Sequence, residues 1–252
     1  MAYTSDREGE EWVLSRLRDL EGRCERQGGP CFLGFLDDFQ QRVCRDALVR
    51  SPLSHRFFGG YEDAERSYLG LALTHEDLAD GRYPIACVRV RYRPQDGITH
   101  RDLLGSVMGL SLKREAVGDI LAEEDAARLY LSSAVKETVL TQLTKVGRAG
   151  VSCQEVPLGG TGARRYQEMA GSLSSLRLDC AAAFLGSLSR SDAAKHISGG
   201  LVAVDGRTVL DQARIIKPGE KISIRGTGKF LFDREIGTSR KGKLRVLFRK
   251  YS

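Results

Sequence analysis

Between Ser189 and Gly219 the chain carries a run of start and stop signals that leaves it little freedom in how to fold. Ser189 with Asp192 three residues on is a Ser-x-x-Asp capping box, and it opens a helix running to Ile197. Gly199-Gly200 stops that helix where a left-handed residue is wanted. Asp205-Gly206 lies between Leu201–Val204 and Arg207–Val209, and this dipeptide is the strongest short-range hairpin signal because a type I′ turn needs positive φ at both central residues. Pro218-Gly219 suits a type II turn. A short helix over Leu176–Leu185 precedes the run. After it, Ile222, Ile224, Phe230, Phe232, Ile236, Val246 and Phe248 mark alternating strands with basic residues between them.

The middle of the chain has a different rhythm. Ile85–Tyr92 alternates as a half-buried strand. Thr99 with Asp102 caps a helix over Thr99–Leu110. Gly118–Leu121 and Ala127–Leu131 read as strands around the acidic turn Glu123-Glu124-Asp125. Ser133–Leu143 is a second helix, with Val135, Val139 and Leu143 on one face, and Gly150–Val156 a last strand. The order βαββαβ is that of a split βαβ, ferredoxin-like sheet of the kind found in RRM-like domains, although a fold alone gives no function.

Before this block, Glu10–Glu25 places Trp12, Leu14, Leu17 and Leu20 among charges and reads as an amphipathic helix that Gly28–Pro30 ends. Phe35–Val49 reads as a second helix and Asp63–Leu73 as a third, around the turn Phe57-Phe58-Gly59-Gly60-Tyr61. The expected organisation is α+β: a helical N-terminal region over 1–80, an RRM-like domain over 81–157, a linker over 158–175, and a basic C-terminal domain over 176–252.

Charge separates these parts. From Ser174 to Ser252 there are 16 Lys and Arg against 7 Asp and Glu, a net of +9, while the rest of the chain has 23 against 26, a net of −3. A basic third on a slightly acidic body points to a polyanion-binding module, with a solvated basic surface as the alternative. The longest apolar runs, such as Cys180–Leu185, are about a third of a membrane span, so no membrane association is expected. Met1–Glu11 is polar and acidic rather than a secretory leader, and the six scattered cysteines form no C-x-x-C pair, so a reduced, cytoplasmic protein is expected. His55, His75, His100 and His196 are isolated, no His/Cys spacing suits zinc, and neither a metal nor a cofactor is expected. The glycines after Pro157 lack the Lys-Ser/Thr of a phosphate loop.

The helix opened by Ser189 offers the chemistry for a phosphate. Its first N–H groups and dipole favour an anion, and Arg190 and the hydroxyls of Ser189 and Ser191 add donors. Arg177, at the start of the preceding helix, can lie beside them, and Lys195 and His196 follow one turn on. Arg207, Lys217, Lys221, Arg225, Lys229, Lys241 and Lys243 complete a candidate basic surface for structured RNA. Asp179 reads as a structural partner for an arginine or a helix N-terminus. On the middle sheet Tyr92 and Tyr130 are the nearest candidates for base stacking.

Arg177-Leu178-Asp179, Ser189–Lys195, Gly200–Gly206 and Lys217–Ile222 together resemble the S4 RNA-binding domain, a small αL module, over about Leu176–Ile224. Asp205 stands where that family usually has Asn, and either residue favours the same turn. His100–Leu110, Lys113-Arg114-Glu115, Gly118–Leu121, Leu143–Arg148, Phe58–Arg66 and the ending from Gly226 through Lys243 resemble the bacterial YlmH family. The resemblance implies a non-enzymatic, monomeric factor that binds large-subunit ribosomal RNA while peptidyl-tRNA still blocks the subunit. It also implies a place in quality control beside a factor that adds C-terminal alanine tails. An enzyme of the pseudouridine synthase or methyltransferase type, docked by the S4 domain, is the alternative, with a division-related RNA-binding scaffold as a third. Such synthases carry the module before a catalytic domain marked by Gly-Arg-Leu-Asp, whereas here Leu176 precedes Arg177-Leu178-Asp179 near the C-terminus, and no Gly-rich cofactor loop follows a strand.

Overall fold

The computed structural model describes residues 6–159, 166–239 and 242–251. The chain forms two compact units, residues 1–162 and 163–252.

In the first unit, α1 (Asp6–Gln27) leads into β1 (Cys31–Leu36), α2 (Asp38–Leu48), β2 (Ser54–Phe58) and β3 (Ser67–Ala72). The strands form an antiparallel sheet in the order β1-β3-β2. The region is therefore α+β, with helices on one face of an antiparallel sheet, which corrects the helical reading of 1–80. Asp37, not Phe35, starts α2: its carboxylate accepts the N–H of Gln40, whose side chain accepts the N–H of Asp37. The third helix is instead β3, buried along its whole length. Leu69 and Leu71 face α1 and α2 through Leu17, Leu20, Phe39 and Val43. Tyr68 faces the other way, onto Phe35 with ring centroids 4.8 Å apart.

The middle block follows the expected order: β4 (Ile85–Arg91), α3 (His100–Met108), β5 (Val117–Ala122), β6 (Ala126–Ser132) and α4 (Lys136–Gln142). The small hairpin of β7 (Lys145–Val146) and β8 (Ala149–Gly150) precedes β9 (Ser152–Val156). The sheet runs β5-β6-β4-β9, all pairs antiparallel, which is the ferredoxin-like order. Thr99 accepts the N–H of Asp102 at 3.3 Å and Asp102 returns the bond, so α3 opens on its capping box.

Helices α3 and α4 cover one face of this sheet through Val88, Val90, Leu103, Val107, Leu129 and Val139. The other face meets the N-terminal block in an aromatic layer of Phe35, Tyr61, Tyr68, Tyr83 and Tyr130. Tyr61 lies 4.6 Å from Tyr130 between centroids. Gly60 sits at φ +99° with the Tyr130 ring 2.6 Å from where a Cβ would be, so the turn accepts nothing larger. Buried Asp119 on β5 fastens this turn by accepting the Tyr61 hydroxyl at 2.7 Å and the N–H groups of Glu65 and Arg66. The Gly59-Gly60-Tyr61 turn thus seats the N-terminal block on the middle sheet.

The second unit holds β10 (Tyr166–Leu173), α5 (Leu178–Gly186), α6 (Arg190–Ser198), β11 (Val202–Val204), β12 (Arg207–Thr208), β13 (Lys221–Ile224), β14 (Gly228–Thr238) and β15 (Leu244–Tyr251). They make one sheet in the order β10-β15-β14-β13-β11-β12, with α5 and α6 packed on one face. One expectation changes: part of the expected linker, Tyr166–Leu173, is a strand paired along its length with β15. The basic ending forms the expected alternating strands, with Phe230, Phe232, Val246 and Phe248 fully buried beneath the helices.

Candidate nucleic-acid interface

Helix α6 begins where its capping residues place it. The Ser189 hydroxyl accepts the N–H of Asp192 at 3.1 Å and donates to the Asp192 carboxylate at 2.7 Å. At the other end, the N–H of Leu201 reaches the carbonyl of His196 and that of Gly200 reaches Ile197, a Schellman pair made possible by φ +70° at Gly200. The helix is thereby held at both ends, and Arg190 and Ser191 project from its first turn.

Arg190 is not loose. Its Nη2 donates to Oδ2 of Asp179 at 2.8 Å, and Arg177, the residue before α5, donates to both oxygens of the same carboxylate at 3.1 and 3.0 Å. The Asp179 side chain is 6% exposed while that of Arg190 is 59% exposed, so a buried anchor holds an exposed guanidinium. Burial pushes the Asp179 carboxyl up. The hydrogen bonds from Arg177 and Arg190, with a further one from Cys180, outweigh it and hold the group well below the usual carboxylate range. Two guanidiniums share one carboxylate, so the cluster keeps a surplus positive charge beside the N-terminus of α6, an arrangement suited to a phosphate oxygen.

Next to it, Lys195 is exposed and donates to Asp192 at 3.0 Å. The half-buried His196 ring donates from Nδ1 to the carbonyl of Asp192 at 2.9 Å. Asp192 therefore places a carboxylate close to the same helix end, held below its usual range by Ser189 and Lys195.

The structure divides the expected surface rather than gathering it. Arg177, Ser189, Arg190, Ser191, Lys195 and His196 lie together on the helical side. Ile222, Ile224, Phe230 and Phe232 point into the core beneath the helices, so alternation turns Lys221 and Lys229 to the opposite face of the sheet. There Lys229 stands 5.3 Å from the Tyr251 ring, and the register aligns Lys221, Leu231 and Arg249 in one row across three strands. Arg207, Lys217, Arg225 and Lys243 sit on or beside turns, and Lys241 lies outside the described residues. Asp205 takes φ +47° and Gly206 φ +77°, the expected I′ pair, and the Asp205 carboxylate accepts the N–H of Lys221 at 2.8 Å. Its acidity is thus engaged within the fold.

Sequence reasoning missed Arg249, which the alternation around buried Val246 and Phe248 would have placed on the strand face. It also offered Tyr92 and Tyr130 as stacking residues. Both are buried: Tyr92 donates to the carbonyls of Glu123 and Ala126, and Tyr130 donates to Gly159. Neither ring faces an incoming base. Among the described residues no group of His, Cys, Asp and Glu has the geometry to hold a metal, and no helix is long and apolar enough to cross a membrane.

Residues 80–159 match the family model described as "Putative RNA-binding domain in YlmH", and residues 176–222 match the S4 domain. The chain is 32% identical over 219 residues to "Ribosome-associated protein quality control protein P2" of Bacillus subtilis (strain 168), covering 86% of this chain and 85% of that protein. In fold it is similar to the "Cell division protein ylmH from Streptococcus pneumoniae", with a TM-score of 0.52 at 21% identity over 59% of this chain and 92% of that one.

Proposed function

The chain belongs to the YlmH family, and on that premise we propose that it is a non-enzymatic, monomeric RNA-binding factor of the cytoplasm that acts on the large ribosomal subunit. Its target is the subunit still obstructed by peptidyl-tRNA, where it contacts structured ribosomal RNA and the tRNA during quality control of stalled chains, alongside an alanine-tailing factor. The relative named for ribosome-associated quality control supports this reading. So does the arginine pair on buried Asp179, which is the observation that carries it. Arg177, Ser189, Arg190, Ser191, Lys195 and His196 are the proposed phosphate-binding group, with Lys221 and Lys229 on the strand face and Arg207, Lys217, Arg225, Lys241 and Lys243 at its margins. The proposed division of labour is an N-terminal part that shields the middle sheet, a middle RNA-binding part, and a C-terminal S4 part that docks on RNA.

The test is co-sedimentation with purified large subunits, with and without peptidyl-tRNA. The wild type is expected to pellet preferentially with the obstructed subunit. Arg190→Glu places a repelling charge beside the helix end and is expected to abolish that association while leaving the thermal unfolding of the protein cooperative. Equal, salt-fragile binding of the wild type to any RNA removes the quality-control reading. Unchanged association of a folded Arg190→Glu protein removes the assigned face.

A further inference from the structure

Among the described residues, the face of the middle sheet turned away from α3 and α4 is only half covered. Alternation puts Ile85, Cys87, Arg89 and Arg91 of β4 on this face, with Arg128 and Tyr130 of β6 and Ser152, Gln154 and Val156 of β9. Ile85, Cys87 and Tyr130 lie under the aromatic layer of the N-terminal block. The remaining half presents Arg89, Arg91 and Arg128 on the two central strands, flanked by Ser152 and Gln154.

These arginines are poorly compensated. Arg89 stands directly opposite Arg128 in the register, a like-charge cross-strand pair that weakens a sheet. Glu123 answers both, but from 4.0 and 3.8 Å, at the outer limit of an ion pair. Arg91 is exposed and has no hydrogen-bonded or ionic partner among the described residues. Past the end of β4, Arg148 is exposed, whereas Arg93 is held in a two-point ion pair by Asp96 at 3.0 and 3.2 Å and adds no uncompensated charge.

We propose that this open half-face is a second RNA contact, which grips the sugar–phosphate backbone and does not stack bases. The inference rests on the RNA-binding reading above and names the surface through which the middle domain would contribute to it. Three cations around one distant carboxylate leave a place that an anion completes, and the guanidinium fork matches phosphate oxygens. Ser152 and Gln154 add neutral donors of the kind that hold a backbone in register. Among the described residues no aromatic ring lies on the open half, so sequence is not read there by stacking. An acidic protein segment is the less suitable occupant. It would most readily add a strand at a sheet edge, whereas these arginines stand on the face of the central strands.

The experiment uses the full chain and two probes, a labelled RNA hairpin of about sixteen base pairs and a labelled oligoglutamate peptide. Affinity is followed against salt for the wild type, Arg91→Gln, Arg89→Gln/Arg91→Gln, Glu123→Gln and Arg190→Glu. Losing two phosphate contacts is expected to weaken RNA binding by the double variant and flatten its slope of log K against log salt by about 1.4–1.8. Arg91→Gln, an exposed substitution that the fold tolerates, is expected to show about half of that change. Glu123→Gln frees the arginine pair and is expected to tighten RNA binding. If Arg190→Glu weakens RNA binding while both arginine variants keep the wild-type slope, this surface is overturned and the RNA-binding reading stands. If the arginine variants lose only oligoglutamate, the surface is a protein site and the proposal fails. If the wild type binds no RNA, both readings fall together.

Discussion

Replacing Asp179 by Asn keeps the shape of the side chain and removes its charge, leaving Arg177 and Arg190 without the carboxylate that joins them. Hydrogen bonds to a buried charge are worth more than neutral ones, but both arginines are more than a third exposed, which reduces their share. Asp179→Asn is expected to cost about 1–2 kcal/mol of stability at neutral pH. The sign of its pH dependence follows from the lowered folded-state value. The contribution of Asp179 is fully present above the ordinary aspartate range near ~4 and is lost as pH falls toward the folded-state value. Urea midpoints of the two proteins should therefore differ at about pH 7 and converge in strong acid, and a gap that widens on acidification would refute the anchoring role. At this scale much was legible, because local chemistry is written in local spacing. Asp179 reads as an arginine partner and Ser189 as a cap, and both hold. Hidden from that reading was the consumption of donors by neighbours, such as the Ser189 hydroxyl spent on Asp192. Hidden too was the side of a sheet to which a basic residue turns, as with Lys221, Lys229 and Arg249.

In the middle block, elements were legible because caps and turns bracket them. β4, β5, β6 and β9 alternate or sit between clear turns, and the sequence placed them within a residue or two of where they lie. β3 was not legible because it is buried on both faces: Ser67-Tyr68-Leu69-Gly70-Leu71-Ala72 shows no alternation, and a continuous apolar run cannot be told from a piece of buried helix. β10 failed for the opposite reason. Gln167, Glu168 and Ala170 are exposed, so the segment looks like a connection. Yet Gly171 lets the Phe184 ring come within 2.3 Å of where a Cβ would stand, and Leu173 is buried. A consequence is testable by trimming. A chain starting at residue 163 keeps β10, while one starting at Leu176 uncovers the full hydrogen-bonding edge of β15. The shorter chain is expected to melt earlier and to associate with itself at concentrations where the longer one stays monomeric. Light scattering and thermal melting of the two decide it, and equal behaviour would make β10 dispensable.

For the whole molecule, the feature least visible in the sequence was what covers the middle sheet. The βαββαβ order was readable, but the partner of its second face came from a block whose strands were misread, so nothing indicated that Tyr130 and Ile85 would lie beneath Tyr61 and Phe35. A chain lacking residues 1–80 is expected to expose Ile85, Leu121 and Tyr130 and to bind a hydrophobic dye that the intact protein does not. Absence of dye binding by the shortened chain would mean that the aromatic layer contributes little to holding the sheet closed. In the second unit the sheet order has a bearing on timing. β15 lies between β10 and β14, so the first strand of the unit has no partner until the last has been made. While it emerges from the ribosome, this unit must wait with β10 unpaired and the outer edge of β14 open, and it closes through contacts distant in sequence, which form slowly. Its birth on a translating ribosome thus includes an interval in which β15 is still inside the exit channel and the RNA-binding fold is incomplete.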